Sequence, residues 1–221
     1  MTSDFQTAPH RRVVFCDFDG TITGEETFTG MLRRFTPALY QAMLPDMMAG
    51  RVTIKEACTR LLSSIPSSRF GEILDYARSR PVRPGLVEFM DFLEAAGVPL
   101  VLVSGGLREM ALTVLGPLKD RFEAVYALDV DLDGPFLEVR PGFEGEAEWV
   151  DKVRVMARYR AEESVLVGDG VTDLNIAREA SLVFARDYLK DYLTARKRPF
   201  VPWETFHDVV AHLKARWGTS P

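Results

Sequence analysis

The chain changes character abruptly within one stretch, Val13-Val14-Phe15-Cys16-Asp17-Phe18-Asp19-Gly20-Thr21-Ile22-Thr23. Its first four residues are typical of a strand at the centre of a parallel sheet, where both faces are covered. Asp17 then falls at the carboxyl end of that strand, and extended geometry turns the side chains of Asp17 and Asp19 to the same side. Because two like charges so close need a cation or a shared proton, the stretch predicts a buried strand that delivers a charged site.

The composition is that of a globular protein, with 221 residues of which 47% are hydrophobic and 27% charged. The length favours one domain with an insertion or two small domains. The net charge of -5 offers no positive field for nucleic acid, so we expect no nucleic-acid partner. No apolar segment approaches the roughly 20 residues that cross a bilayer, and residues 1–12 lack the apolar core of a signal peptide. We therefore expect a cytoplasmic protein without a membrane partner.

The only cysteines are Cys16 and Cys58. Cys16 lies inside the predicted core strand, where a small buried thiol is favoured over a disulfide partner. Neither cysteine suggests a metal site.

Residues 25–81 carry apolar side chains at helical spacing and predict a helical insertion. Several methionines lie on this stripe, for which core packing is favoured over a binding groove. Thr53 followed by Glu56 three residues later is typical of a capping box at a helix start. We expect this insertion to form a separate cap.

From residue 86 onward, helices alternate with strands, which favours an α/β fold with a parallel sheet. Two short alternating segments flank Asp133-Gly134 and predict a small β-hairpin flap at about 124–143. The predicted core therefore comprises residues 12–24 and 82–221, after a frayed arm at residues 1–11. The predicted helices run from 86 to the break at Gly97, from 107 to about 118, from 148 to 160, from 172 to 180 and from about 206 to 217. The predicted strands are at 98–103, 164–167 and 182–185.

Three of the predicted strands end in polar residues: Asp17, Ser104 and Asp169. In an open parallel sheet with right-handed crossovers, these ends lie at one edge, where ligands bind. Asp19 and Asp173 lie close by in sequence and would complete an acidic cluster. Oxygen ligands of this kind hold a hard divalent cation, so we predict a Mg²⁺ site. Asp173 alone would be an ordinary carboxylate in the first turn of a helix, but the other acids favour a metal ligand.

A phosphate group beside these acids would need further donors and positive charge. Ser104 supplies a hydroxyl and, with Gly105 and Gly106, backbone N–H groups at a predicted helix start, which is a suitable anion cradle. Lys152 is the first candidate for the cation, with Lys119 and Arg154 as alternatives. The assignment to Lys152 depends on the resemblance below.

Two carboxylates at such a site suit phosphoryl transfer. A carboxylate held by a metal can attack phosphorus in line and form an aspartyl phosphate, which water later cleaves. A second carboxylic acid then protonates the leaving oxygen and deprotonates the water. Asp17 fits the nucleophile, and Asp19 fits the acid and base.

Four segments of the chain resemble the motifs of the haloacid dehalogenase superfamily of phosphatases, namely residues 17–22, 101–106, Lys152 and residues 167–173. The resemblance implies a Rossmann-like core, a mobile cap and Mg²⁺. It also implies that Asp17, the backbone carbonyl of Asp19, and Asp169 bind the metal directly. The second aspartate, Asp19, is typical of the phosphatases in this superfamily.

The position of the predicted cap resembles the phosphoserine phosphatase-like subgroup. Within it, residues 50–56 and 184–189 resemble a methionine-salvage branch, and phosphoserine phosphatase is the alternative. The amine-binding cap glutamate of the latter aligns with Glu26, whereas its carboxylate-binding arginine aligns with Leu61, with Arg60 one residue away. An apolar residue there favours a less charged substrate.

The substrate expected from this resemblance is a small phosphorylated metabolite. A binding protein without turnover and a phosphotransferase on the same core are the competing hypotheses. An exposed stripe on the cap would also be compatible with a homodimer.

Overall fold

The computed structural model describes residues 10–140 and 142–218, and its centre is a seven-stranded sheet. The strand order is β4-β3-β2-β1-β5-β6-β7, and all neighbouring strands are parallel except β3 and β4. This is a Rossmann-like α/β architecture, so the predicted fold class is confirmed. The strands are β1 (His10–Cys16), β2 (Leu100–Leu107), β3 (Ala124–Asp131), β4 (Glu138–Arg140), β5 (Ala161–Gly168), β6 (Leu182–Ala185) and β7 (Val201–Pro202).

Helices cover both faces of the sheet and also form an insertion after β1. In the described ranges, no helix combines enough length and apolar character to cross a bilayer. The α-helices are α1 (Thr27–Phe35), α2 (Pro37–Met48), α3 (Ile54–Leu62), α4 (Phe70–Arg78), α5 (Leu86–Ala95), α6 (Arg108–Leu115), α7 (Lys152–Met156), α8 (Ile176–Glu179), α9 (Asp187–Ala195) and α10 (Phe206–Trp217).

Strand β1 is the centre of the core, between β2 and β5. Its successive side chains point to opposite faces, as the pleat requires. Val14 and Cys16 pack with α5 and α10, whereas Val13 and Phe15 pack with α7, α8 and α9. All four side chains are buried, which confirms the expected central strand. Cys16 and Cys58 are both buried free thiols.

Helices α1 to α4 share an apolar core that also includes side chains from β3 and the hairpin. The hairpin is joined to the insertion by backbone hydrogen bonds: Leu137 N–H donates to Ile65 at 3.0 Å, and Ser67 N–H donates to Pro135 at 3.1 Å. The insertion therefore packs with the flap. Met31 and Met43 lie in this core, so the packing interpretation holds for these two methionines.

Several helices are shorter in the structure than the sequence predicts. The helix predicted at 148–160 spans only α7, because the Asp151 side chain caps its start by accepting from the Arg154 N–H at 3.0 Å. The helix predicted at 172–180 is a 3₁₀ turn at Val171–Asp173 followed by α8. The insertion breaks at Thr36, since Pro37 disfavours helical geometry in the residue before it.

Two other differences affect the site. Strand β2 does not end at residue 103 but continues to Leu107, so Gly105 and Gly106 lie in a strand and not at a helix start. Strand β3 pairs with β2 before it enters the hairpin, so the flap is an extension of the main sheet.

The predicted frayed arm was wrong for His10 and Arg11, which lie in β1, and its other residues are outside the described ranges.

The capping box at α3 is confirmed. The Glu56 N–H donates to Thr53 Oγ1 at 3.1 Å, and the Thr53 N–H donates to Glu56 Oε2 at 2.8 Å. Together they satisfy two donors at the start of the helix, which fixes where α3 begins.

Candidate active site

Asp17 lies directly after β1 and is held by Lys152. The Asp17 N–H donates to the Val167 carbonyl at 3.0 Å, which aligns the residue with the end of β5. The Lys152 ammonium donates to Asp17 Oδ1 at 2.5 Å and to Asp173 Oδ1 at 2.7 Å. All three side chains are buried, so this ion-pair network lies away from solvent.

The competing cations lie elsewhere. Arg154 donates to the Glu144 carbonyl at 2.9 Å, and Lys119 is exposed in the turn at Gly116–Arg121. Lys152 is therefore the cation that the fold brings to the acids.

Asp169 lies directly after β5 and faces the loop that follows β1. The Thr21 hydroxyl donates to Asp169 Oδ1 at 2.6 Å. A Cβ atom at Gly20 would lie 2.2 Å from Asp169 Oδ2, and Gly20 has a φ of +79°, so both space and backbone geometry require glycine here. The hydroxyl contact of Thr21 was not predicted, although this residue lies in the stretch that decides the fold.

Asp173 orders the loop between β5 and α8. Its Oδ2 accepts from the Asp169 N–H at 3.1 Å and from the Gly170 N–H at 3.0 Å. Both of its oxygens are therefore engaged by the chain, since Lys152 binds the other one. This makes Asp173 an organiser of the loop as well as a candidate ligand.

Asp19 follows Asp17 by two residues in the loop after β1 and is partly exposed. The Phe28 N–H, near the start of α1, donates to Asp19 Oδ1 at 2.8 Å. The Ser104 hydroxyl lies 3.4 Å from Asp19 Oδ2 and accepts from the Gly106 N–H at 3.0 Å. A Cβ atom at Gly106 would lie 2.5 Å from Asp19 Oδ2, so glycine lets β2 approach the carboxylate closely.

The electrostatics follow from several acids sharing one buried region. Burial, together with the neighbouring acids, raises the pKa of Asp169 to about 9. Burial also raises the pKa of Asp17 to about 7 even though Lys152 opposes the shift. Burial and the Asp17 charge raise the pKa of Asp19 to about 7. The pKa of Lys152 is raised because Asp17 and Asp173 outweigh burial, so this side chain stays charged.

The acid cluster fits a divalent cation. Asp17, Asp169 and Asp173 each offer a carboxylate oxygen, and these oxygens lie within 4.8 Å of one another. When all three carboxylates are ionised, the single positive charge of Lys152 leaves an excess of negative charge. Oxygen donors with this charge are the ligands that Mg²⁺ prefers.

Arg83 connects the two chain segments that lead into and out of the insertion. Its buried guanidinium donates to the carbonyls of Thr21 at 2.8 Å, Thr23 at 3.2 Å and Gly20. The Arg83 N–H also donates to the Ile22 carbonyl at 2.8 Å. Sequence reasoning missed this residue, because a single arginine after a helical segment carries no local signal.

A cavity of about 660 Å³ separates Asp17 and Asp19 from the insertion. Gly105, Gly106 and the exposed Glu26 all line it, as does Arg33. Leu61, which aligns with the carboxylate-binding arginine of phosphoserine phosphatase, is buried in the core of the insertion and is not among the residues that line the cavity. Helix α3 instead contributes Ile54 and Cys58 to the cavity wall. The apolar wall is formed by Phe28, Leu32, Tyr40, Met47, Ile54 and Cys58.

The sequence has clear relatives. The family profile described as haloacid dehalogenase-like hydrolase matches residues 14–178. Over 207 residues the chain is 44% identical to the 2-hydroxy-3-keto-5-methylthiopentenyl-1-phosphate phosphatase of Microcystis aeruginosa (strain NIES-843 / IAM M-2473), covering 93% of this chain and 99% of that protein. The protein of the same name from Geobacillus kaustophilus (strain HTA426) is 32% identical over 211 residues, covering 91% and 95%.

Solved structures share the fold at lower identity. The phosphoserine phosphatase from T. onnurineus superimposes with a TM-score of 0.67 at 19% identity, covering 97% of this chain and 98% of that chain. This likeness supports the architecture described above.

Proposed function

Because this chain belongs to the haloacid dehalogenase-like hydrolases, we propose that it is a Mg²⁺-dependent phosphatase that hydrolyses 2-hydroxy-3-keto-5-methylthiopentenyl-1-phosphate in methionine salvage. The observation that carries the proposal is the apolar wall of the cavity above Asp17, which suits an uncharged thioether tail. The relative with 44% identity over nearly the whole chain has this name. Two buried free cysteines also fit a reducing compartment, so we propose the cytoplasm as its place of action.

The first half of the proposed reaction transfers the phosphoryl group to Asp17. The ionised Asp17 oxygen forms a bond to phosphorus while the bond to the substrate oxygen breaks. Asp19 donates a proton to that leaving oxygen, and a pKa of about 7 suits a group that must give up and regain a proton near neutral pH. Lys152 fixes the attacking carboxylate through the 2.5 Å hydrogen bond.

The second half releases phosphate. Asp19 removes a proton from water, the water oxygen bonds to phosphorus, and the bond to Asp17 breaks. We assign the orientation of the phosphate oxygens to the Ser104 hydroxyl, which lies 3.4 Å from Asp19 Oδ2, and to the backbone of Gly105 and Gly106, which lines the cavity. Asp17, Asp169 and Asp173 would hold the divalent cation, which when bound would supply the positive charge that lets two anions approach.

Mg²⁺ affinity should rise with pH between about 6 and 9. Protonated Asp169 and Asp17 cannot coordinate a cation, and their pKa values of about 9 and 7 mean that binding must displace protons. Each proton released strengthens binding by up to about tenfold per pH unit. Titration calorimetry in buffers of different ionisation enthalpy measures both the affinity and the protons released.

The same linkage has a consequence for stability. The metal-free folded protein holds protons that the unfolded chain loses above about pH 4, so its free energy of unfolding should fall as pH rises toward 9. Saturating Mg²⁺ should therefore raise the melting temperature more at pH 8.5 than at pH 6. Asp169→Asn is the control and should lose most of this difference. Mg²⁺ affinity that is independent of pH would contradict the assignment.

Phosphoserine is the alternative substrate, and two side chains favour it. Glu26 lines the cavity and suits an amine, and the exposed Arg33 lines it and suits a carboxylate. Arg33 is the one cationic side chain among the lining residues that the structure describes. Apolar side chains nevertheless form much of the wall above the acids, which disfavours a tail carrying two charges.

The enol phosphate should exceed phosphoserine in kcat/KM by at least about 10²-fold, since a charged tail would lose its hydration against the apolar wall. Phosphate release from both substrates at equal Mg²⁺ concentration measures the ratio. Asp17→Asn protein sets the background. A higher kcat/KM for phosphoserine, abolished by Arg33→Met, would transfer the assignment to the alternative.

A further inference from the structure

The hydroxyl of Tyr76 on α4 rests against the backbone of α1 at Gly30, and both residues line the cavity. A Cβ atom at Gly30 would lie 2.3 Å from this hydroxyl oxygen. Only glycine at this position therefore leaves room for the hydroxyl where it lies.

Two arginine side chains pack against the ring of Tyr76. The guanidinium of Arg80 lies 4.5 Å from the ring centroid, and that of Arg34 lies 5.6 Å from it. Arg80 in turn forms an ion pair with Glu25 at 2.8 Å. Because these contacts fix the ring, the hydroxyl cannot easily move away from α1.

The Tyr76 hydroxyl makes no hydrogen bond within residues 10–140 and 142–218, and it is not among the buried side-chain atoms there that lack a partner, so it is open to the cavity that Tyr76 lines. A phenol at a cavity wall normally finds such a partner. The lining nearby is apolar, with Phe28 and Leu32 on the same helix. The partner of this hydroxyl is therefore water in the cavity or a substrate atom that displaces the water.

The Tyr76 hydroxyl lies near the end of the cavity that contains Asp19. Gly30 follows Phe28 by two residues, and the Phe28 N–H holds the Asp19 carboxylate at 2.8 Å. Gly30 therefore lies within one helical turn, about 5 Å along the axis, of the group that would protonate the leaving oxygen. A substrate atom near Tyr76 belongs to the carbon chain close to the phosphate.

We propose that Tyr76, with the space provided by Gly30, is a specificity-determining residue that binds an uncharged oxygen on the carbon chain of the substrate. This inference rests on the proposed function, whose substrate carries a hydroxyl and a keto oxygen between the phosphate and the thioether. Tyrosine suits either oxygen, because its hydroxyl both donates and accepts. Glu25 and Glu26 at the same cavity disfavour an anionic group there.

The test compares two substrates in two variants. Tyr76→Phe removes only the hydroxyl, and 5-methylthiopentyl phosphate lacks both oxygens but keeps the chain and the phosphate. We expect Tyr76→Phe to lower kcat/KM for the enol phosphate by about 3- to 10-fold, the effect of one hydrogen bond to an uncharged group. For the alkyl phosphate we expect no change. Gly30→Ala should displace the hydroxyl and give the same selective loss.

An equal loss on both substrates, or no loss on either, would overturn the assignment of Tyr76. Wild-type protein that prefers phosphoserine would overturn the proposed function instead, so the two failures are distinguishable. Thermal melting of both variants accompanies the kinetics. An unchanged melting temperature for Tyr76→Phe together with the selective loss supports binding through the hydroxyl.

Discussion

Asp17→Asn should lower kcat on the order of 10⁴-fold or more, because an amide cannot form the bond to phosphorus. The fold should persist, since an asparagine oxygen at this position can still accept from Lys152. The melting temperature should not fall, because burial already disfavours the charge of Asp17. Phosphate release with Mg²⁺ and thermal melting without it measure the two effects.

Asp19→Asn is the matched variant, and it distinguishes the role of Asp19 from that of Asp17. It should lower turnover by about 10²–10⁴-fold, the usual contribution of a general acid and base. With p-nitrophenyl phosphate, whose leaving group departs without a proton, this variant should still form the aspartyl phosphate and then stop. A burst of one p-nitrophenolate per site is expected from Asp19→Asn and none from Asp17→Asn. A burst from Asp17→Asn would exclude Asp17 as the nucleophile.

The parts of this site that could be predicted from sequence lie next to strand ends. Asp17, Ser104 and Asp169 each lie at or near the end of a strand, and parallel strands bring those ends to one edge whatever the rest of the chain does. The three residues therefore come together because of where each strand ends, and the apolar pattern of a single sequence indicates those ends. The chemical roles of these residues stay predictions; they follow from the paired carboxylates and from the predicted phosphate cradle, a combination that few reactions use.

The parts that could not be predicted depend on contacts between distant elements. Thr21 and Asp169 are 148 residues apart, and Arg83 binds carbonyls about 60 residues earlier. The hairpin reaches the insertion through Leu137 and Ile65, and no pattern in either segment indicates this pairing. The same limit applies to Leu61, since an alignment of the helix does not determine which of its faces points to the cavity.

Lys152→Met should both destabilise the protein and reduce its activity. Removing one partner of a buried ion pair typically costs about 3–5 kcal/mol, because the remaining charge is left uncompensated. Here two carboxylates, Asp17 and Asp173, lose their shared cation at 2.5 and 2.7 Å. At about 2–4 °C per kcal/mol, the melting temperature without metal should fall by about 10 °C. Loss of the cation beside the phosphate should also lower kcat/KM by about 10²-fold or more.

Lys190→Met is the control, because Lys190 is exposed on α9 and its loss should leave both quantities nearly unchanged. Mg²⁺ should raise the melting temperature of Lys152→Met more than that of the wild type, since the cation then compensates carboxylates that have no other partner. This dependence separates a missing charge from a general packing defect, which added metal would not relieve. A Lys152→Met protein with wild-type stability and activity would show that Asp17 and Asp173 are compensated without Lys152, and that another group binds the phosphate.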